Sequence, residues 1–308
     1  FWIGMGPTIV HKKIGNTDYC LKLLPLGGAC MMGEDEVDDL SAGSFNSKSP
    51  WRRISVILAG PVFNFILAFI CSMIFIGIVG VDKADLSGVT PNSPAAEAGL
   101  QEGDKIVKIN SKSVKLFREI TMYNQFHQGE TVEVTYERDG SQNTVKLTPK
   151  ADENGFYKWG VTSTGYEKGN LLETIAYGGY EVKYWIDLTV ESLGQLITGR
   201  IGLDQLSGPV GVVDAVDTTY KQSREGGALV VFINMLRMAI LLSANLGVMN
   251  LLPIPALDGG RLVFLVLELI RGKRVPPEKE GYVHFAGMIL LLGLMVFVMY
   301  NDIVRVFF

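Results

Sequence analysis

The feature that most constrains this chain is a long run of residues without charge. From Ile54 to Val81 the sequence reads ISVILAGPVFNFILAFICSMIFIGIVGV and contains no charged side chain. A helix needs about 20 apolar residues to cross the hydrocarbon core of a bilayer, and this run is longer. It predicts a transmembrane helix over 51–81, with Arg52 and Arg53 at its start.

Two further apolar stretches predict that the chain crosses the membrane again. Ala228–Leu257 is interrupted by Arg237 and two prolines, so we expect a broken transmembrane segment over 228–272. A loop at 273–283 and a transmembrane helix over 284–308 are expected to follow. Long polar stretches accompany the 48% of hydrophobic residues, which indicates a membrane protein with a soluble part. The net charge of −4 provides no basic field for nucleic acid, and we exclude that class of partner.

The distribution of basic residues predicts how the chain lies in the membrane. Arginines precede the first span, and the short connection between the second and third spans contains four basic residues: Arg271, Lys273, Arg274 and Lys279. Basic residues accumulate on the cytoplasmic side, so both places are expected to be cytoplasmic. The long segment between the first two spans is then expected on the opposite, extracytoplasmic side.

That segment begins with a pattern of short strands and turns. LSGVTPNSPAAEAGLQEGDKIVKINSKSV (Leu86–Val114) predicts a strand, a small-residue helix and an alternating strand, and TVEVTYERDGSQNTVKLTP predicts a hairpin around Asp139 and Gly140. The order resembles a bacterial PDZ domain over 82–163. Such domains bind an extended peptide at a sheet edge, which implies a peptide ligand. A purely steric role is the alternative, because the expected peptide-reading loop near Leu86 to Val89 has no obvious selectivity residue.

The stretch at 164–227 predicts an interfacial or linker helix. Its apolar positions can form one stripe: Ile175, Tyr180, Tyr184, Ile186, Leu188, Leu193 and Leu196. Glu181, Lys183 and Glu191 would lie elsewhere around the helix, as expected for a helix at a membrane surface. A plain connecting helix packed on the PDZ domain is an equal alternative.

The most informative motif is NLLPIPALDGG, from Asn250 to Gly260. A carboxylate at bilayer depth is costly unless it is paired or coordinated, so Asp258 is a candidate functional residue. Pro253 and Pro255 stop the helix, and we expect Gly259 and Gly260 to allow a tight turn before it restarts. The motif would present one oxygen ligand at the tip of a broken helix. The alternative is an ion pair of Asp258 with Arg237 or Arg261.

Three asparagines accompany this carboxylate within the apolar segments. Asn245 and Asn250 lie upstream in the same span, and Asn64 lies in the first span after Gly60 and Pro61. Amides in an apolar environment need hydrogen-bond partners, so the three predict a shared polar cavity. For any single asparagine, a packing contact between helices is the alternative.

The motif resembles a signature of the site-2 protease family of intramembrane zinc metalloproteases. IGMGP (Ile3–Pro7), LPLGGACMMGEDE (Leu24–Glu36), RRISVILAGPVFNFILA, LSGPVGV (Leu206–Val212) and YNDIVR (Tyr300–Arg305) extend the resemblance to the RseP-type bacterial branch with one PDZ domain. The resemblance implies a multi-pass α-helical protein of the bacterial cell membrane, with a site-2 protease core and an inserted extracytoplasmic PDZ domain of β-rich α+β type. It also implies a cytoplasmic-side β region over 1–50, including a hairpin or sheet at Thr17–Asp35 that dips into the bilayer.

The same resemblance implies the chemistry. Asp258 would be the third zinc ligand, and Asn245 would hold the backbone of an unwound substrate. The substrates would be transmembrane segments of membrane proteins, such as anti-sigma factors or signal-peptide remnants. The family's HExxH helix is absent from this sequence, and His11, His127 and His284 lack that spacing. We therefore expect that the chain begins after this helix and is inactive as given.

Two other functional classes fit parts of the sequence. A non-catalytic membrane adaptor would recruit partners through the PDZ domain and use Asp258 only to close a polar network. A secondary transporter would also contain broken helices and intramembrane asparagines. A transporter predicts an inverted internal repeat, and the first and second spans share no pattern of breaks.

Overall fold

The computed structural model describes residues 1–15, 17–29 and 44–307. Cys30 and most of the Leu24–Glu36 motif lie outside these residues. The N-terminal part is an antiparallel hairpin of β1 (Trp2–Ile14) and β2 (Thr17–Ala29). Pairing is regular from Val10 opposite Leu21 to the turn and is irregular nearer the N-terminus. Several large apolar side chains of the hairpin are exposed: Ile3, Ile9, Val10, Ile14, Leu21, Leu23 and Leu24.

Within the described residues, three helices are long and apolar enough to cross a membrane, as the sequence predicted. They are α1 (Pro50–Val79), α6 (Ala228–Leu251) and α8 (Pro277–Phe307). The predicted loop at 273–283 is wrong in its second half, because α8 already begins at Pro277. Proline suits the first position of a helix, and Glu278 and Glu280 complement the positive end of the helix dipole.

The second span is broken, and its continuation packs on the first helix. After α6 ends at Leu251, six residues separate it from α7 (Asp258–Arg271). Leu265 of α7 is buried against Ile54 and Ile57 of α1. Near the arginine-rich end of α1, Arg53 forms a buried ion pair with Glu268 of α7 at 2.5 Å. These contacts fix α7 along the first half of α1.

A separate β-rich unit follows α1. Its elements are β3 (Val81–Asp82), β4 (Leu86–Val89), α2 (Pro94–Glu97), β5 (Lys105–Ile109), β6 (Lys112–Ser113), α3 (Phe117–Phe126), β7 (Val132–Arg138), β8 (Ser141–Leu147), β9 (Lys150–Ala151), β10 (Tyr157–Lys158), β11 (Val161–Ser163) and β12 (Tyr166–Glu167). The main sheet has the order β6-β5-β7-β8, and smaller pairs join β11 to β4 and β12 to β3. Strands and helices enclose one apolar core, which includes Leu86, Ile106 and Val134.

The hairpin predicted at Asp139 and Gly140 is confirmed. Arg138 pairs with Ser141, so the two residues between them form the whole turn. Their φ angles are +52° and +75°, the left-handed conformation that a two-residue turn of this kind requires. The turn chemistry was sufficient to place this feature from sequence.

The β-rich unit, residues 81–167, is called the PDZ-like unit below. Helix α4 (Leu171–Ile197) lies between this unit and the membrane helices. Gly178 packs against Phe69 and Met73 of α1, while Val182 and Trp185 are buried in the cluster shared with α1 and α6. Tyr184, Ile186 and Leu188 of the predicted stripe pack against this cluster, but the most deeply buried positions of α4 are different ones. Its buried face contains Gly178, Val182, Trp185 and, contrary to expectation, Glu181.

Glu181 is buried because it is paired. Its carboxylate accepts hydrogen bonds from the Arg118 guanidinium of α3 and from Trp185 Nε1. Arg118 also pairs with Asp82 at 3.0 Å. Burial raises the pKa of Asp82, and the charge and hydrogen bonds of Arg118 oppose that shift. Arg118 thus joins the PDZ-like unit to α4 through Glu181, and it pairs with Asp82 within the unit.

Candidate functional site

Asp258 is the first residue of α7 and faces the first membrane helix. A Cβ atom added to Gly60 of α1 would lie 3.4 Å from Oδ2 of Asp258. Gly60 is ten residues after the first residue of α1, or roughly 15 Å along the helix. The carboxylate therefore lies between two helices and well inside the apolar segment of α1.

No described residue neutralises this carboxylate by direct contact. Neither Arg237 nor Arg261 forms an ion pair with Asp258, and no hydrogen bond to its side chain is present among the described residues. The side chain is half-buried. Its oxygens thus retain their lone pairs for a further ligand. The charge of Arg261 acts on this carboxylate only at longer range, without a direct contact.

The backbone before Asp258 turns at an unexpected residue. Ala256 has φ = +77°, a left-handed conformation that is rare for a residue with a side chain. Its N–H donates a hydrogen bond of 2.9 Å to Nδ1 of His284 on α8. We had predicted that Gly259 and Gly260 would provide the tight turn. That prediction is wrong, because neither glycine has positive φ and both lie inside α7.

The two glycines serve a different purpose, which is close approach. A Cβ on Gly259 would overlap the backbone of Leu251 and Leu252, and a Cβ on Gly260 would overlap the carbonyl of Ile254. The start of α7 therefore lies directly against the connecting segment. Only residues without side chains permit this contact.

The two prolines occupy different surroundings. Pro253 is exposed just after α6 ends, whereas Pro255 is half-buried and packs on α8. A Cβ on Gly287 of α8 would lie 2.7 Å from the Pro255 carbonyl oxygen. Gly287 and His284 are three residues apart and so share one face of α8. Together they contact the two residues that precede Leu257 and Asp258.

The structure places the three asparagines as follows. Asn64 is one turn after Gly60 on the same face of α1, and all three side chains are half-buried. Gly247 of α6 packs directly on the ring of Phe65, so the α6 segment that contains Asn245 runs beside Asn64. Asn250 lies in the last turn of α6. No hydrogen bond joins these amides to one another or to Asp258 within 44–307, so the shared cavity stays a prediction.

Zinc needs more ligands than this part of the chain provides. Within the described residues, no group of three His, Cys, Asp or Glu side chains could hold a metal ion. Asp258 fits one position of a zinc site, because its oxygens are unpaired and face the gap beside Gly60. The other ligands would come from outside the described residues.

Sequence reasoning missed His284, Gly287 and Gly60 as neighbours of the motif. The sequence showed His284 only as a histidine outside an HExxH motif, whereas in the structure its Nδ1 accepts a hydrogen bond from the Ala256 N–H. The sequence signal that could have indicated a contact here is the spacing of His284 and Gly287, three residues apart near the start of an apolar helix. Nothing in the local sequence connected them to Pro255 or Ala256.

The segment near Leu86 to Val89, named above as the expected peptide-reading loop, forms strand β4. β4 is an inner strand, because it pairs with β11 on one side and Leu86 exchanges hydrogen bonds with Gly103 and Asp104 on the other. β11 pairs only with β4 among the described strands. The edge next to α3 is therefore formed by β11, and Asn124 of α3 donates to the carbonyl of Tyr157 just before it.

Known proteins of similar sequence are named as proteases. The chain is 40% identical over 85% of its length to the zinc metalloprotease RasP of Bacillus licheniformis, and it spans 62% of that protein. It is 39% identical to the regulator of sigma-W protease RasP of Bacillus subtilis, of which it spans 61%. A putative zinc metalloprotease of Clostridium acetobutylicum is 34% identical, with 99% of this chain and 88% of that protein aligned.

A solved structure resembles one part of the chain. The PDZ domain of an SdrC-like protein from Listeria monocytogenes is 27% identical, covers 28% of this chain and 92% of its own, and has a TM-score of 0.24. The family description that matches residues 1–294 is peptidase family M50. With this match and a relative aligned over nearly the whole chain, the protein belongs to peptidase family M50.

Proposed function

We propose that the complete protein is an intramembrane zinc metalloprotease and that Asp258 is one of its zinc ligands. The observation that carries the proposal is the unpaired carboxylate at the start of α7, which faces Gly60 inside the helical bundle. An intramembrane carboxylate is costly unless a partner or a metal ion compensates it. The names of the relatives, zinc metalloproteases, supply the chemistry that this carboxylate would serve.

Zinc, when bound, polarises a scissile carbonyl and activates water for peptide hydrolysis. The described residues contribute one carboxylate, that of Asp258, and the packed segments that position it. Gly259 and Gly260 bring α7 against the connecting segment, and Pro255 rests on Gly287. The HExxH residues that would complete the ligand set and provide the general base are not in this sequence.

The substrate class that fits is the transmembrane segment of another membrane protein. A substrate helix hides its amides in its own hydrogen bonds, and cleavage requires that it unwinds. The exposed backbone then needs partners, which Asn64 and Asn245 can provide because their amides have none among the described residues. One relative is named a regulator of sigma-W protease, which favours anti-sigma factors as substrates here, with signal-peptide remnants as the second candidate.

The membrane placement is part of the same proposal. The start of α1 and the end of α7 would lie in the cytoplasm of a bacterial cell, and the PDZ-like unit would lie outside. The support for this is the positive charge at both places, from Arg52, Arg53, Arg271 and Lys273. The exposed apolar side chains of the β1–β2 hairpin fit insertion into the cytoplasmic leaflet. The edge of β11 would accept an extended peptide ligand.

The test uses the full-length protein. Asp258→Ala should abolish cleavage of a membrane substrate and lower the zinc content, while membrane insertion is unchanged. Asp204→Ala, at an exposed aspartate far along the chain from the motif, is the matched control. If Asp258→Ala retained both zinc and activity, Asp258 would not be a ligand. If wild-type protein bound its partners without any zinc-dependent cleavage, the adaptor function would be correct instead.

A further inference from the structure

The connecting segment between α6 and α7 contains a strained residue. Ala256 has φ = +77° and lies two residues before Asp258. A non-glycine residue in this conformation is strained and persists only where its surroundings hold it. The orientation of the Asp258 side chain depends on the backbone conformation of this turn. A contact that stabilises the conformation of Ala256 therefore also orients the carboxylate.

The contact that holds Ala256 comes from a distant helix. Its N–H donates to Nδ1 of His284, 28 residues later, at 2.9 Å. The side chain of His284 is 18% exposed, and its ring lies 5.5 Å from the ring of Phe264 on α7. Because Nδ1 accepts, the imidazole is neutral with its proton on Nε2. The carboxylate of Glu280 is 3.8 Å from Nε2 and lies one turn earlier on α8.

A second contact on the same face of α8 fixes the preceding residue. Gly287 lies so close to Pro255 that any Cβ would overlap it. Pro255 has a fixed φ and no N–H, so it cannot compete for His284. The N–H of Ala256 is therefore the donor that the segment presents to α8.

We infer that His284 is a positioning residue for the zinc site, acting through the backbone of Ala256 on the orientation of Asp258. The inference rests on the proposed zinc role of Asp258. His284 acts here as an acceptor and not as a ligand, because its Nδ1 is occupied by the Ala256 N–H and its Nε2 therefore carries the proton. Nε2 is buried without a hydrogen-bond partner among the described residues, with Glu280 at 3.8 Å. Residues that orient a metal ligand change metal affinity by about 10-fold to 100-fold when they are replaced.

The decisive comparison places an acceptor at two different distances from the backbone of α8. In His284→Asn the side-chain oxygen can occupy the position of Nδ1, whereas in His284→Gln it lies one bond further away. In full-length protein, we expect His284→Leu and His284→Gln to raise the zinc dissociation constant by about tenfold or more. His284→Asn should stay within about threefold of wild type. Phe285→Leu, at the exposed neighbouring position, is the control for general changes in α8.

A measurement without metal tests the same contact independently. Hydrogen exchange of the peptide that contains residues 252–257 should be faster in metal-free His284→Leu and His284→Gln than in wild type, and unchanged in His284→Asn. In addition, Ala256→Gly should recover part of the zinc affinity of His284→Leu, because glycine adopts positive φ without strain.

The outcomes separate this inference from the proposed function. If Asp258→Ala removes zinc but His284→Gln and His284→Asn bind zinc equally, the positioning role is wrong and the zinc site is right. If Asp258→Ala leaves zinc binding unchanged, the proposed function fails first. Equal exchange of residues 252–257 in all three His284 variants would also overturn the inference, whatever their effect on overall stability.

Discussion

The carboxylate of Asp302 on α8 accepts a hydrogen bond of 2.7 Å from the backbone N–H of Gly211. Gly211 is in the first turn of α5 (Pro209–Arg224), so Asp302 caps a helix from 91 residues away. Asp302 is fully buried, and Arg305 pairs with it and also donates to Ser207. The contact brings together LSGPVGV and YNDIVR, two motifs that the sequence alone left unconnected.

This contact predicts a loss of stability when either partner changes. Asp302→Ala leaves the N–H of Gly211 and the charge of Arg305 without their partner, which should cost about 1 to 3 kcal/mol in the free energy of unfolding. Gly211→Ala should have a similar effect, because its Cβ would lie 2.8 Å from Arg305 Nη2 and from Asp302 Oδ1. Thermal unfolding of full-length protein in detergent measures both. Gly293→Ala, where a Cβ meets nothing within 4 Å, should be neutral, and equal loss in all three variants would contradict the prediction.

Glu173 predicts a pH dependence at the start of α4. Its carboxylate accepts from the Asn170 backbone N–H, while Lys83 pairs with it, and both interactions hold the pKa of Glu173 below its usual range. A folded-state pKa below the unfolded value adds stability above the unfolded pKa, and that contribution disappears as the pH falls through the folded pKa. Glu173→Gln should therefore be less stable than wild type at neutral pH, and the difference should shrink in acid. A difference that grows as the pH falls would contradict this assignment.

The distribution of basic residues predicts the orientation in the membrane. Labelling of Lys273→Cys with a membrane-impermeant reagent should require permeabilised cells, while Ser141→Cys on the PDZ-like unit should react from outside. Both variants need a background in which the native cysteines are replaced. Detection of both positions on one side would overturn the placement of α1, α6 and α8.

We expect the two asparagines of α6 to have different roles, Asn245 in substrate binding and Asn250 in zinc binding. Asn245→Leu removes an amide that would hold the substrate backbone, which should slow cleavage by roughly tenfold to hundredfold with zinc retained. Asn250, in the last turn of α6 before the connecting segment, should affect the Asp258 site itself, so Asn250→Leu should lower zinc occupancy. Kinetics and zinc content of purified full-length variants distinguish the two. Zinc loss in Asn245→Leu with full zinc in Asn250→Leu would reverse these roles.

Several features depended only on residues that are close together in the chain. Three long apolar runs determined three long helices, Asp139 and Gly140 determined a hairpin, and Pro253 and Pro255 determined the break before Asp258. These outcomes follow from hydrophobicity and from local backbone preferences, which a sequence displays directly. The carboxylate at Asp258 was identified in the same way, from its cost in an apolar segment.

Other features were decided by contacts between residues far apart in the chain. Ala256 adopts its turn against His284, 28 residues away, and Glu181 is buried because Arg118, 63 residues earlier, neutralises it. From the sequence, we expected Glu181 away from the apolar face of α4 and Gly259 in a tight turn, and both expectations were wrong. The local pattern of a helix shows which residues are polar, but the helix packed against it determines which polar groups find a partner and which face is buried. The sequence by itself thus determined the spans, the break and the candidate ligand, and the tertiary structure decided what holds that ligand in place.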